Sequence, residues 1–196
     1  MKKVSLIIAG AVLLLFLSGS SGNERLTDMT VIQAVGIDFS ANTVTVTVQY
    51  LDIDKGTGTN EGVKGNITAV TQGSGKTIDS AIASVEKTLP DRLFFSQNKI
   101  IVLCPKAEEK LKGELLQILS DNRKCRPDTL IVKSKTTAEA VIRNTQRKSR
   151  VPAENICKQL KREKSLFTVN DYINELKENS LPVIEARGDY TLVLKR

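Results

Sequence analysis

Residues 98–104 read N-K-I-I-V-L-C, in which residues 100–104 form a continuous apolar run that ends directly before Pro105. Such a run, without polar alternation, is typical of a strand whose two faces are both covered. Proline fits the first turn of a helix, where its missing N–H needs no partner. The stretch therefore predicts a central strand followed at once by a helix, whose buried stripe comprises Leu111, Leu115, Ile118 and Leu119.

Patterns upstream and downstream predict the other strands of the sheet. Residues 29–38 and 43–53 alternate in polarity and are rich in β-branched side chains, so they predict an antiparallel hairpin joined by residues 39–42. The Gly-, Thr- and Asn-rich residues 54–66 predict a loop. Further strands are predicted at 67–71, 128–133, 183–184 and 190–194.

Helix signals alternate with these strands. Apolar residues recur at helical spacing from Ile78 to Leu89, with Thr77 as the cap and Pro90 as the stop. Residues 136–139 (T-T-A-E) predict a capping box for another helix. Helices are also predicted at 153–164 and 170–178, the second with Thr168 and Asp171 at its start. We therefore expect an α+β (mixed α/β) fold, in which an opening antiparallel hairpin leads into a mixed sheet packed with several helices.

Residues 71–77 read T-Q-G-S-G-K-T, which is similar to the end of a phosphate-binding loop. The pattern G-x-x-x-x-G-K-[ST] needs a glycine at position 70, where this chain has Val70. We therefore interpret the segment as a glycine turn that joins a strand to a helix, with Lys76 and Thr77 in structural roles. No nucleotide cofactor is expected.

The composition excludes several classes of enzyme and metal site. The chain has no histidine, so it holds no Ser-His-Asp triad, Cys-His pair or histidine-ligated zinc. Cys104, Cys125 and Cys157 are odd in number and widely spaced, which favours buried small hydrophobic residues over a metal motif. Asp52 and Asp54 lie beside the predicted loop, where nothing holds them in catalytic geometry. We expect no catalytic, metal or cofactor residue.

The N-terminus is typical of an exported protein. Two lysines precede the apolar residues 4–17 and the small residues 18–22, a pattern of secretory type. The apolar segment has 14 residues, against the roughly 20 that a spanning helix needs. We expect residues 1–20 to be a signal peptide or N-terminal anchor, and residues 21–196 to form the domain.

The mature chain is moderately basic. Without the two lysines of the signal, 27 basic and 22 acidic residues leave a net charge of +5. This charge suits an anionic membrane surface or an acidic partner better than nucleic acid. Residues 143–150 (R-N-T-Q-R-K-S-R), together with Lys158, Lys161, Arg162 and Lys164, could face lipid headgroups or an acidic partner. A solvated helix face is the favoured interpretation.

Several stretches, taken in order, resemble the Ger(x)C family, the lipoprotein C subunits of bacterial spore germinant receptors. They are L-T-D at 26–28 with V-I-Q-A-V-G-I-D at 31–38, G-K-T-I at 75–78 with Ala81, and P-D-R-L-F-F-S-Q-N-K at 90–99. Residues 126–132, 151–154 and 181–184 also fall in the family's order. The third stretch is the most specific, and Gln97 stands there where the family commonly has histidine. The resemblance covers about residues 20–185.

The resemblance implies a non-enzymatic role in spore germination. The protein would lie at the outer face of the inner spore membrane and work there with the receptor's A and B subunits in the response to nutrient germinants. Ser20 stands where the family lipobox has its cysteine, so no lipidation is expected there. The family's C-terminal domain is absent, and we expect a short form, a decayed copy or a fragment.

The family's most specific segment is also the candidate partner contact. Arg92, Phe94 and Phe95 are its candidate residues, because in an extended segment at least one of the two adjacent phenylalanines faces outward. A buried corner of the core is the open alternative. Two other functions remain, an exported small-solute-binding module and an exported enzyme using carboxylates, although no residue pattern nominates the latter.

Overall fold

The computed structural model of the chain describes residues 29–52, 67–121, 124–145, 151–175, 181–187 and 190–194. Within these ranges eight strands form one mixed sheet and six helices pack against it, which confirms the predicted fold class. The predicted export segment, Ser20, the 54–66 loop and residues 146–150 of the basic run lie outside the described residues.

The strands form the sheet in the order β3-β2-β1-β5-β6-β7-β8, and β4 also pairs with β1. Their bounds are β1 Met29–Ser40, β2 Thr43–Leu51, β3 Thr68–Gly75, β4 Arg92–Phe94, β5 Ile100–Leu103, β6 Leu130–Ser134, β7 Val183–Arg187 and β8 Tyr190–Leu194. The pairs β1-β2, β2-β3 and β7-β8 are antiparallel, whereas β1-β4, β1-β5, β5-β6 and β6-β7 are parallel.

The opening hairpin is confirmed, with a tighter turn than predicted. Ala41 and Asn42 alone connect β1 to β2, and both have positive φ values, 49° and 58°. Two such residues make the turn whose twist matches that of an antiparallel ribbon. Pairing therefore continues to Ser40 and Thr43, so Phe39 and Ser40, which the sequence assigned to a four-residue connection, belong to β1.

Strand β5 is buried on both faces, as predicted. Ile101 and Leu103 contribute to a core on one side of the sheet, and Ile100 and Val102 to a second core on the other. The first face is covered by α1 (Ile78–Glu86), α2 (Pro105–Lys110), α3 (Lys112–Leu119) and α6 (Val169–Glu175), and the second by α4 (Ala138–Thr145) and α5 (Pro152–Arg162).

The predicted single helix after β5 is wrong, because Leu111 separates α2 from α3. Leu111 has φ −108° and ψ 15°, outside helical geometry. Side chains four residues apart drift by about 40° per step around a straight helix. The break lets the whole four-residue series reach the core of the first face, namely Ala107, Leu111, Leu115 and Leu119.

The two ends of α1 are set by hydroxyl groups. Thr77 and Ser80 form a reciprocal capping box, and the Thr77 Oγ1 accepts from the Ser80 N–H at 3.1 Å. The predicted cap is thereby confirmed. Pro90 is not the stop, because α1 already ends at Glu86. The Thr88 hydroxyl donates to the Val85 carbonyl at 2.7 Å and closes the last turn.

Side chains from other elements bind the N-termini of three helices. Glu114 of α3 accepts from the first N–H of α1. Asp38 of β1 accepts from the first two N–H groups of α4, and Gln49 Oε1 of β2 accepts from the Ala153 N–H of α5 at 3.2 Å. These contacts satisfy donors that a helix leaves unpaired at its start.

The predicted capping box of α4 is wrong, whereas the predicted position of Thr168 and Asp171 at the start of α6 is confirmed. At α4 the Thr137 hydroxyl accepts from the Ala140 N–H at 3.2 Å, while Glu139 binds Arg143 at 2.7 Å one turn along. At α6, Thr168 and Asp171 bond reciprocally, with the carboxylate accepting from the Thr168 N–H at 2.9 Å. Carboxylate capping from β1 makes a local box at α4 unnecessary.

Candidate functional site

An apolar pocket lies on the first face of the sheet, between the strands, α1 and α3. Its volume is about 430 Å³. Its wall includes branched aliphatic side chains from the sheet, Ile37, Val46 and Ile101, and from the helices, Ile82, Leu115 and Ile118. Branched aliphatic side chains offer no hydrogen bonds, so this part of the pocket suits an apolar group.

A break in the sheet opens this pocket. Arg92–Phe94 pair with the start of β1 and Ile100–Leu103 with its second half, but the intervening chain leaves the sheet in a 3-10 turn at Phe95–Gln97. The register of β1 against β2 shifts at the same level, beside Gln33. The Gln33 carbonyl accepts from the Lys99 N–H at 3.0 Å, which fixes where the chain rejoins the sheet.

The candidate contact residues lie at this break. Arg92 is exposed, and Phe94 and Phe95 are half-buried and both line the pocket. Phe95 also packs against the core of the first face. The predicted extended geometry ends at Phe94, because the 3-10 turn begins with Phe95. The contact role itself stays a prediction.

The alternative, a buried corner of the core, describes only part of the segment. Asn98 is buried, with 7% of its surface exposed, and its backbone carbonyl accepts from the Thr129 hydroxyl at 3.3 Å. Gln97 is exposed next to it. One end of the segment is thus built into the sheet, while Arg92 and Gln97 reach solvent.

An ion pair stands at the mouth of the pocket. Lys124 Nζ donates to Asp79 Oδ1 at 3.0 Å, and their side chains are 45% and 64% exposed. A pair this exposed adds little stability, about 0–1 kcal/mol. Glu86 also lines the pocket, so one lysine and two carboxylates lie around a mainly apolar interior.

The thiol of Cys125 lines the same pocket but is poorly suited to chemistry. Burial raises its pKa to about 11, an effect only partly offset by a hydrogen bond with Thr129. A thiol with such a pKa is protonated near neutral pH and is a weak nucleophile. Cys125 is therefore a poor candidate for a nucleophile.

The glycine segment is a strand and not the predicted turn. Gly73 and Gly75 belong to β3, directly beneath α1. A Cβ at Gly73 would lie 2.5 Å from the Val85 nitrogen and 2.6 Å from the Ala81 carbonyl oxygen, and one at Gly75 would overlap Ser80. The glycines therefore allow helix and strand to touch. Because α1 occupies that space, no phosphate cradle forms, and Lys76 is exposed beside it.

The prediction of buried cysteines is confirmed for Cys104 and Cys125, whereas Cys157 is half-buried, and all three are free. Cys104 follows β5, where its sulfur accepts from the Phe39 and Ala107 N–H groups at 3.4 and 3.3 Å, and burial raises its pKa. Burial also raises the pKa of Cys157 to about 11. In the described ranges no group of three His, Cys, Asp or Glu side chains is arranged to hold a metal ion.

Two features of the site escaped the sequence analysis. Asp79 and Lys124 are 45 residues apart, and neither spacing nor composition connects them. The sequence also gives no indication of the break opposite Gln33, because the surrounding residues keep a strand-like pattern. Sequence motifs did single out the segment that forms the break, although not the pocket.

Across the part of the chain that the structure describes, no helix combines the length and apolar character needed to cross a membrane. The sequence model of a family described as "Spore germination protein N-terminal domain" matches residues 22–186. A search of curated proteins and a search of solved structures each found no match.

Proposed function

The chain belongs to the family of spore germination protein N-terminal domains, and on this basis we propose that it is a non-enzymatic, exported subunit of a bacterial spore germinant receptor. The membership itself supports a role in spore germination. In the proposal, the protein lies at the outer face of the inner spore membrane. It acts there through contacts with the receptor's A and B subunits.

The observation that carries this proposal is the pocket at the break between β4 and β5. The family's most specific segment forms one lip of the pocket, with Arg92 exposed and Phe94 half-buried. Aromatic and arginine side chains beside an apolar cavity are the usual centre of a protein interface. An apolar side chain of another subunit would fill the cavity and pack on Phe94.

Three features of the chain support binding over catalysis. It contains no histidine, the usual general base near neutral pH. The pocket's thiol, Cys125, is kept protonated by its raised pKa. The charged groups Asp79 and Lys124 stand at the mouth and are paired with each other.

Capture of the A and B subunits in detergent tests the contact. We expect Phe94→Ala and Arg92→Ala each to lower capture at least about tenfold, since a central interface residue contributes 1.4 kcal/mol or more. Leu166→Ala removes an exposed apolar side chain elsewhere, and Lys106→Ala an exposed cation, so both should capture normally. Unchanged capture by folded Phe94→Ala and Arg92→Ala would remove the proposed contact.

The size of the pocket favours a second candidate, an exported small-solute-binding module. Its 430 Å³ lies within the usual range for small-molecule sites, roughly 300–1,000 Å³. A solute that binds only the native domain raises its melting temperature. In the Ala83→Trp variant a larger side chain is placed in the pocket wall. Two results together would favour this second function. A nutrient raises the melting temperature of the wild type but not that of Ala83→Trp, and subunit capture does not depend on Phe94.

A further inference from the structure

Four exposed cations occupy one side of α5 and the turn that follows it. Lys158, Lys161 and Arg162 stand at positions i, i+3 and i+4, so they share one stripe of the helix. Lys164 extends the stripe past the end of the helix. We call these four residues, together with Leu166, the basic surface.

The charges of the basic surface are not neutralised within the described part of the chain. Some exposed cations elsewhere bind acids, as Arg126 binds Asp128 at 2.7 Å and Arg143 binds Glu139 at the same distance. The structure gives the four cations of the basic surface no such ion pair across its described ranges, and only Glu163 lies among them in sequence. The surface thus carries a net charge of about +3.

Leu166 adds an apolar group beside these charges. It is 49% exposed, and among the residues whose side chains the structure describes it is the one exposed large hydrophobic. Its neighbour Phe167 is buried, and the Phe167 carbonyl accepts from the Ile131 N–H at 2.9 Å. The turn is therefore anchored to β6, and Leu166 is held outward by the fold.

The end of α5 is also fixed in position. Lys164 adopts a left-handed conformation with φ 52°, and the Ser165 N–H reaches back to the Leu160 carbonyl at 2.9 Å. This is the usual closure of a helix by a left-handed residue, although with lysine in place of the common glycine. Leu166 follows directly, so the leucine and the lysines project from one rigid corner.

We propose that the basic surface docks on a membrane that carries anionic lipids. Lysine stems can lie along the interface with their ammonium groups among phosphates, while an exposed leucine inserts between headgroups. Nucleic acid is less suitable, because binding to single strands relies on exposed aromatic side chains. An acidic protein could bind the four cations, but its carboxylates would not account for the exposed Leu166.

The location of the basic surface is compatible with subunit binding. Helix α5 covers the second face of the sheet, while the pocket opens on the first face, so docking leaves the pocket accessible. The inference deepens the proposed function and rests on it for the presence of a bilayer beside the domain. The proposed docking assigns the side of the domain that carries α5 to the bilayer.

A single tryptophan tests the orientation, because the chain has none of its own. The full chain carrying Leu166→Trp is mixed with vesicles of phosphatidylcholine and 30% phosphatidylglycerol, some of the lipid bearing brominated chains. We expect a blue shift and bromine quenching for Leu166→Trp and neither for Phe94→Trp on the pocket face. Equal quenching at both positions, or none at position 166, would overturn the proposal.

Charge reversal tests the lipid chemistry. In the Leu166→Trp background, Lys158→Glu with Lys161→Glu should lower partitioning to anionic vesicles at least about tenfold, since each basic residue contributes about fivefold. Lys76→Glu with Lys106→Glu, an equal charge change on exposed lysines elsewhere, should have little effect. Neutral phosphatidylcholine vesicles should give no quenching at position 166.

The outcomes separate the alternatives. If anionic vesicles fail to quench Leu166→Trp while a polyglutamate column retains the protein through Lys158 and Lys161, the partner is an acidic protein and the membrane proposal is wrong. Subunit capture in detergent involves Phe94 on the other face. A wild-type protein that docks on anionic vesicles but captures no A or B subunit would therefore contradict the proposed function alone.

Discussion

The carboxylate of Asp38, near the end of β1, accepts a hydrogen bond of 2.8 Å from the backbone N–H of Ala138, 100 residues further along the chain. Its other oxygen accepts from the Glu139 N–H at 2.9 Å. Two residues earlier, a Cβ at Gly36 would lie 2.8 Å from Ile142 Cδ1. In the V-G-I-D motif at 35–38, the glycine therefore leaves room for α4, and the aspartate caps the N-terminus of that helix.

Replacement of Asp38 should weaken the fold. Asp38→Ala leaves two N–H groups of α4 without their acceptor and removes a negative charge from a helix N-terminus, so we expect a loss of about 1–3 kcal/mol in the free energy of unfolding. Asp38→Asn keeps one acceptor oxygen and should lose less. Urea denaturation measures both variants, and equal stability of Asp38→Ala and wild type would show that this cap contributes nothing.

Two glycine-to-alanine substitutions should change stability in opposite directions. Gly73→Ala forces β3 and α1 apart, because the new methyl group would meet backbone atoms at 2.5–2.6 Å, and we expect a loss of about 2–3 kcal/mol. Gly113→Ala meets nothing within 4 Å on α3 and should gain about 0.5 kcal/mol from higher helix propensity. Thermal unfolding of the pair measures the contrast. A stable Gly73→Ala protein would contradict the close contact.

The cap of α6 should give stability that depends on pH. Hydrogen bonds from Thr168 lower the pKa of Asp171 below its ordinary value of 3.8. The ionised carboxylate therefore stabilises the fold fully above pH 3.8, and this contribution disappears as pH falls through the lowered pKa. Asp171→Ala should cost about 1 kcal/mol at pH 7.

Comparison at two pH values isolates the charge of Asp171. Urea midpoints at pH 7 and pH 3 should show a smaller gap between wild type and Asp171→Ala at the lower pH. The amide of Asp171→Asn does not titrate, so the difference between Asp171→Asn and Asp171→Ala should stay constant. A gap between wild type and Asp171→Ala that grows on acidification would reverse the assigned direction of the pKa change.

The pocket thiol should resist alkylation in the native protein. Burial raises the pKa of Cys125 from 9.0 to about 11, which lowers its thiolate fraction at pH 8 about a hundredfold. Iodoacetamide labelling followed by peptide mass analysis should show slow native modification and fast modification in urea. Rapid native labelling at Cys125 would mean that the pocket does not shield this side chain.

Local signals in the sequence determined much of the fold. Alternation in residues 29–53 and the apolar run before Pro105 predicted the hairpin and the doubly covered strand, because burial imposes these patterns directly. Thr77 and Thr168 were recognisable as caps since their partners lie within three residues. The family's most specific segment also marked the lip of the pocket.

Features that depend on distant residues were missed. The sequence assigns Gly73 and Gly75 to a turn. Their packing partner is the backbone of α1, and contact with a backbone imposes no recognisable pattern on the neighbouring residues. Asp38 as the cap of α4 and Lys124 as the partner of Asp79 require the assembled sheet. Such contacts join residues that chain spacing does not relate.

The inner position of β1 affects how the chain emerges during synthesis. Ile37 pairs with Val46 on one side within the hairpin, but its neighbour on the other side is Leu103. Until that later strand is made, one edge of a long, valine- and isoleucine-rich strand stays unpaired, and such edges are prone to join other chains. We therefore expect the nascent protein to depend on chaperone protection between synthesis of the hairpin and arrival of β5.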